Sequence, residues 1–187
     1  MSSPSTPLPV VAEHLFPLDE FYRREGVPLP RVEVIAGPDV PEPFRSLLVH
    51  DHDMTPTLEA FYRSEIHIEV WGRARQEDVY FREVVLRLDT NLRPVEFGVS
   101  QINLALFDPG VRQLILDEYL PLGHILKLRQ VPHRGRPRAF LRLEADDLMR
   151  RAFGLRGPAT LYGRRNTLRD FQDRSLSEIV EILPPVR

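Results

Sequence analysis

From Ile66 onward the chain alternates: Ile66, Ile68 and Val70 are separated by His67, Glu69 and Trp71, and Val79 to Leu88 repeats the period of two after a polar break. Alternation of this kind gives a strand one apolar face and predicts antiparallel pairing. Asp89-Thr90-Asn91-Leu92-Arg93-Pro94 is a turn-rich connector into a third strand that runs to about Leu104. Neighbours in sequence usually pair, so a three-strand meander is expected. Ahead of it, Pro17 to Gly26 reads as a short helix with Leu18, Phe21 and Tyr22 on one face, and Arg31 to Ala36 alternates like a strand. A helical piece from Phe44 to Val49 leads into a second helix through Tyr62, with Thr55 as its cap, Pro56 in its first turn, and Leu58, Phe61 and Tyr62 facing inward.

Beyond the meander, Asp108-Pro109-Gly110 opens a helix through Tyr119 whose inward residues are Val111, Leu114, Ile115 and Tyr119. Pro121-Leu122-Gly123 breaks it, Ile125 to Val131 reads as extended, and Arg134 to Arg138 as a solvated, mobile hairpin tip. A strand from Ala139 to Leu143, a helix from Asp146 to Phe153 closed by Gly154, and a strand pair over Ala159 to Leu168 and Leu176 to Leu183 complete the pattern. A helix followed by strands thus occurs twice. One antiparallel sheet with helices covering a face, an α+β fold, accommodates both units. Residues 1–12 are expected to be a disordered tail and 13–187 a single domain.

Composition narrows the function classes. Among 187 residues, 25 Lys or Arg nearly balance 27 Asp or Glu, which argues against a general polyanion binder, and no nucleic-acid partner is expected. The 18 prolines are dispersed and disfavour a long helical bundle. Cysteine is absent, removing disulfides, thiol nucleophiles and thiolate metal sites. The apolar runs are too short to span a bilayer, and the start of the chain lacks a secretory signal, so a cytoplasmic protein without a membrane partner is expected. No phosphate loop, nucleophile elbow or His-Glu-His helix motif is present.

His50-Asp51-His52-Asp53 brings four potential ligands together, but an extended stretch would alternate them between two faces with no distant partner, so it reads as a solvated turn and no metal is assigned. Arg82 lies inside an apolar strand; facing inward it is a carboxylate clamp, and facing outward it pairs with Glu83 or Glu96. Glu181, between Val180 and Ile182, is an inward carboxylate or an edge residue, with Glu178 on the opposite side. Of Arg164 and Arg165 in the penultimate strand, one can reach an anion while the other meets solvent.

The order of Asp53-Met54-Thr55, Tyr80-Phe81-Arg82-Glu83-Val84-Val85-Leu86, Pro121-Leu122-Gly123, Leu161-Tyr162-Gly163-Arg164-Arg165 and Glu181-Ile182-Leu183-Pro184 resembles the chorismate pyruvate-lyase family and the broader chorismate lyase-like group. The resemblance covers roughly residues 45 to 185. It implies a single antiparallel sheet flanked by helices and a cofactor-independent carbon–oxygen lyase that eliminates pyruvate from chorismate to give 4-hydroxybenzoate. It further implies that Arg82 binds the ring carboxylate, that Glu181 contacts the hydroxyl end, that Met54, Thr55, Leu122 and Gly123 enclose the substrate, and that Arg164 or Arg165 assists the enolpyruvyl carboxylate. The chain departs from the better-known bacterial lyases at Gly98-Val99, where those carry an arginine after the glycine. Residues 1 to about 44 find no counterpart there.

Two other functions fit the same residues. Ligand-sensing domains of bacterial transcription regulators share the fold and bind small metabolites such as aromatic carboxylates without turning them over, although the first 44 residues are too few and too proline-rich for a winged helix. A lyase acting on a related chorismate-derived substrate is the other. Nothing in the apolar pattern demands an oligomer, and a monomer is expected.

Overall fold

The computed structural model describes residues 14–186; the tail expected over residues 1–12 lies outside them. Six helices, α1 (Leu18–Glu25), α2 (Phe44–Leu48), α3 (Met54–Tyr62), α4 (Pro109–Asp117), α5 (Leu122–Leu128) and α6 (Asp147–Phe153), accompany seven strands among the described residues. The strands are β1 (Val32–Ile35), β2 (Ile66–Gln76), β3 (Val79–Leu88), β4 (Pro94–Asn103), β5 (Arg134–Glu144), β6 (Thr160–Arg169) and β7 (Ser175–Leu183). All form one antiparallel sheet in the order β1-β5-β6-β7-β4-β3-β2. The expected meander is β2-β3-β4, and β7 joins the two halves by pairing with β4. No helix among the described residues is long and apolar enough to cross a membrane.

Alternation along the strands sends side chains to two differently covered faces. On one, Val85, Phe97, Val99, Leu141, Val180 and Ile182 pack under α1 and α6. On the other, α2 and α3 cover Val84, Leu86 and Leu88, while α4 and α5 cover Tyr80, Ile102 and Leu168. That second face therefore carries two apolar clusters with a seam between them, and the candidate site occupies the seam.

Several sequence expectations give way to the structure. Ile125 to Val131 is not extended: Leu122, Ile125 and Leu126 are buried at helical spacing in α5, and Pro121, expected only to break the preceding helix, is the N-cap of the next. Arg134 to Arg138 is not a loop but the first half of β5, paired with Asn166 to Arg169. Pro137 is tolerated because a register shift follows it and β1 pairs only with Phe140 to Leu143, leaving an edge there. Asp53, not Thr55, is the N-cap residue of α3. Phe61 (42% exposed) does not face the core, and neither does Tyr119 (82% exposed), because α4 ends at Asp117 and Glu118 takes a left-handed turn with φ 59° before it.

Glu83 is buried among the apolar residues beneath α1 and α6, and its Oε1 has no hydrogen-bond partner. Burial, and then repulsion from Glu25, push its carboxyl up to about 8 from an ordinary 4.5. A carboxyl whose folded pKa exceeds its unfolded one supports the fold fully below about 4.5, and that support is lost as pH rises through about 8. Glu83→Gln is therefore expected to unfold at the same temperature as the parent near pH 4 and at a higher one near pH 9, as read by circular dichroism melts at the two pH values.

Candidate functional site

A cavity lies on the second face, between the sheet and the N-terminal ends of α3 and α5. The ladder fixes its floor. Arg82 stands opposite Ser100, which stands opposite Ile179; one step along, Val84 faces Gly98 and Gly98 faces Glu181; a further step pairs Leu86 with Glu96. Ser100 and Glu96 are four positions apart, so Arg82 and Glu96 rise from opposite ends of a floor about 13 Å long. Ile68, Leu168, Asn166 and the two helix ends complete the wall. Gly98 keeps the middle low: a Cβ there would stand 3.0 Å from Glu96 Oε1 and 3.3 Å from Val84 Cγ2.

The charged residues of the floor fall into two groups. Arg164, fully buried, donates through Nε to Glu181 at 2.5 Å, through Nη1 to the His50 carbonyl at 2.9 Å, and through Nη2 to the His52 carbonyl at 3.0 Å. It thereby ties the chain before α3 to the sheet. His50 adds a bond between Nε2 and the Leu47 carbonyl, and burial and the adjacent guanidinium hold its pKa below the ordinary value. Arg82 differs. It is only 4% exposed, its Nη1 has no hydrogen-bond partner, and burial lowers its pKa. Glu96 Oε2 is likewise buried without a partner; burial, and then the Glu181 carboxylate, raise its pKa well above the carboxylate range and favour the protonated carboxyl.

The roof presents backbone donors. Neither α3 nor α5 has a side-chain cap, so N–H groups at Met54, Thr55, Leu122 and Gly123 are left without intrahelical acceptors. At α3 the reason is visible: the Asp53 carboxylate, at the position where it would normally cap, is held by His133 Nε2 at 3.0 Å. That bond raises the His133 pKa. The two helix ends meet closely, Gly123 lying where a Cβ would stand 3.4 Å from Thr55 Oγ1. An unpaired guanidinium and two uncapped helix ends make the Arg82 end electropositive.

Of the residues singled out from sequence, Arg82, Glu181, Met54, Thr55, Leu122 and Gly123 all line this one cavity. Arg164 lies beneath it, saturated by its own contacts. Arg165 is on the opposite face, bonded to Glu178 at 2.9 Å and to the Phe16 carbonyl at 3.1 Å. Sequence reasoning missed Ser100 and Asn166 and treated Glu96 only as a partner for Arg82. Ser100 and Glu96 share the parity of Gly98 on β4, a signal that becomes readable only once the register against β3 is known.

No family model and no curated protein sequence matches the chain. Solved structures do. The possible transcriptional regulator YydK from Bacillus subtilis has 8% identity over 64% of this chain and 58% of its own, with a TM-score of 0.50. The gene product SA0254 from Staphylococcus aureus has 6% identity over 64% and 82%, with 0.51. PhnF from Mycobacterium smegmatis has 12% identity over 88% and 92%, with 0.51. The fold is chorismate lyase-like. This chain spans little more than half of YydK. The expectation of a carbon–oxygen lyase is overturned by these neighbours, since the fold appears in a chain described as a transcriptional regulator and nothing in them points to lyase chemistry. The geometry supplies a physical counterpart, because the Glu181 carboxylate is held by Arg164 and is not a free base.

Two predictions follow from the floor and roof. Arg164→Ala leaves Glu181 buried beside unsatisfied carbonyls and is expected to cost about 3–5 kcal/mol in urea unfolding. His133, whose folded pKa is raised above its ordinary 6.5, supports the fold fully below that value and loses the contribution as pH rises through the raised one. The stability gap between parent and His133→Gln should accordingly narrow on the alkaline side, read by denaturation at pH 5.5 and 9.

Proposed function

We propose that the chain is a small-molecule-sensing domain whose ligand is a compact aromatic carboxylate. The observation that carries this reading is the buried Arg82 guanidinium, whose Nη1 has no hydrogen-bond partner and whose nearby carboxylate, Glu118, is already held by Arg73 and Tyr80. A desolvated cation without a partner is costly, and a bidentate carboxylate offsets that cost while using the fork geometry of the guanidinium. The helix ends of α3 and α5 add N–H donors at the same end. Val84, Leu86, Ile68, Leu168 and Ile179 provide apolar walls for a ring. At the far end a protonated Glu96 can donate to a polar ring substituent, and Asn166 lines the same cavity.

Sensing suits this arrangement because the bound anion would join the sheet to the starts of two separate helices. Arg82 belongs to the sheet, whereas Met54 and Leu122 begin separate helices. A ligand bridging all three changes the relative stability of closed and open helix positions, which is how a binding event becomes a conformational signal.

The test is calorimetric titration with 4-hydroxybenzoate and benzoate, with cyclohexanol as an uncharged control. Saturable binding of the carboxylates alone is expected, with Arg82→Met weakening it at least tenfold. The same substitution should leave the unliganded fold as stable as the parent or more so, since it removes an unpaired buried charge. Equal binding by Arg82→Met would refute the assignment of the anion to Arg82.

A further inference from the structure

The opposite face of the sheet contains a second polar group that the anion site does not use. Glu83 lies on the opposite side of β3 from the Arg82 side chain, at a cavity lined by Phe21, Arg24, Glu25, Gly72, Arg73 and Phe81, which Arg82 also borders. Trp71, Leu148 and Arg151 line the adjoining depression, which shares Phe21, Glu25 and Glu83 with it. Glu83 is 3% exposed and its Oε1 has no hydrogen-bond partner. The backbone makes room for it: the register of β2 shifts between Val70 and Gly72, and a Cβ at Gly72 would stand 2.9 Å from Glu83 Oε2.

Two of the nearby cations are engaged by other carboxylates, and the third, Arg151, acts on Glu83 only through its charge. Arg24 pairs with Glu20 at 2.8 Å and lies 4.3 Å from the centre of the Phe81 ring. Arg73 pairs with Glu118 at 2.6 Å, and Arg151 lies over Trp71 at 5.4 Å. The cavity is thus left with one buried carboxylate lacking a donor, a second carboxylate at Glu25, and aromatic walls. Such a surface matches a positive charge carried on a hydrocarbon body, through charge-assisted hydrogen bonds and the negative faces of the rings. No group of three or more His, Cys, Asp or Glu side chains placed to hold a metal ion occurs among the described residues, so the aromatic lining decides in favour of an organic cation.

We propose that this cavity is a second ligand site, taking a small primary amine whose ammonium group is bound by Glu83 and whose carbon chain lies against Phe21, Trp71 and Phe81. Arg82 borders both cavities, but this one lies on the opposite face of the sheet and the proposal does not depend on the anion reading.

Trp71 is the only tryptophan in the chain, so its emission reports on this wall directly. The experiment titrates the full chain with butylammonium chloride at pH 9, above the raised Glu83 pKa of about 8, and at constant ionic strength, with potassium chloride as the control. A saturable change in Trp71 emission is expected in the parent, with an affinity about tenfold or more weaker in Glu83→Gln. Glu83→Gln removes a desolvated charge and should fold, which circular dichroism verifies in parallel. Absence of a saturable response, the same response to potassium chloride, or equal affinity in Glu83→Gln would each overturn the proposal.

Discussion

Two arginines are buried under the same face of one sheet, and the difference in how they are satisfied organises the molecule. Arg164 has a carboxylate at 2.5 Å and carbonyls of the His50 to His52 segment around the rest of its guanidinium. It holds the chain that leads into α3 against β6 and β7, and so fixes where that helix begins. Arg82 has no such carboxylate, because Glu181 is committed to Arg164 and Glu96 lies at the other end of the floor. A buried cation left in this way is stabilised most readily by an anion from outside the chain.

The remaining features serve that asymmetry. Gly98 holds the floor open between the two ends, and the seam between the α2–α3 and α4–α5 clusters gives a ligand access to it. His133 draws Asp53 from the end of α3, so the helix offers its N–H groups instead of covering them with its own cap residue. The floor is regular sheet, and the polar groups on it are rigidly placed by register. The roof is built from helix ends that meet at Gly123 and Thr55.

Much of the fold was legible because period two is a local signal. The β2-β3-β4 meander, the β6-β7 pair and the single antiparallel sheet all follow from alternation and turn residues. What was misread depended on context. Leu122 to Leu128 is a short helix whose apolar residues are too few to separate from a strand by periodicity alone. Arg134 to Arg138 is polar because it lies at an edge, and polarity was mistaken for a loop. At the site, Arg82 and the Met54 and Leu122 segments could be singled out, because a charge in an apolar strand and residues before helices are visible one at a time. The Arg164–Glu181 pairing, the isolation of Glu96 and the exposure of Glu83 to a separate cavity each require two strands in register, and no single strand discloses them. The lyase expectation failed on a different ground, since a shared fold and an arginine in a strand do not distinguish turnover from binding.

The most direct measurement is nuclear magnetic resonance of the arginine side-chain Nε–Hε groups during titration with 4-hydroxybenzoate, with Arg82 and Arg164 assigned by substitution. The expected result is a saturable shift of the Arg82 signal with Arg164 unmoved, since the first lacks a partner and the second is already satisfied. A shift confined to Arg164, or saturable binding that leaves Arg82 unchanged, would contradict the central claim.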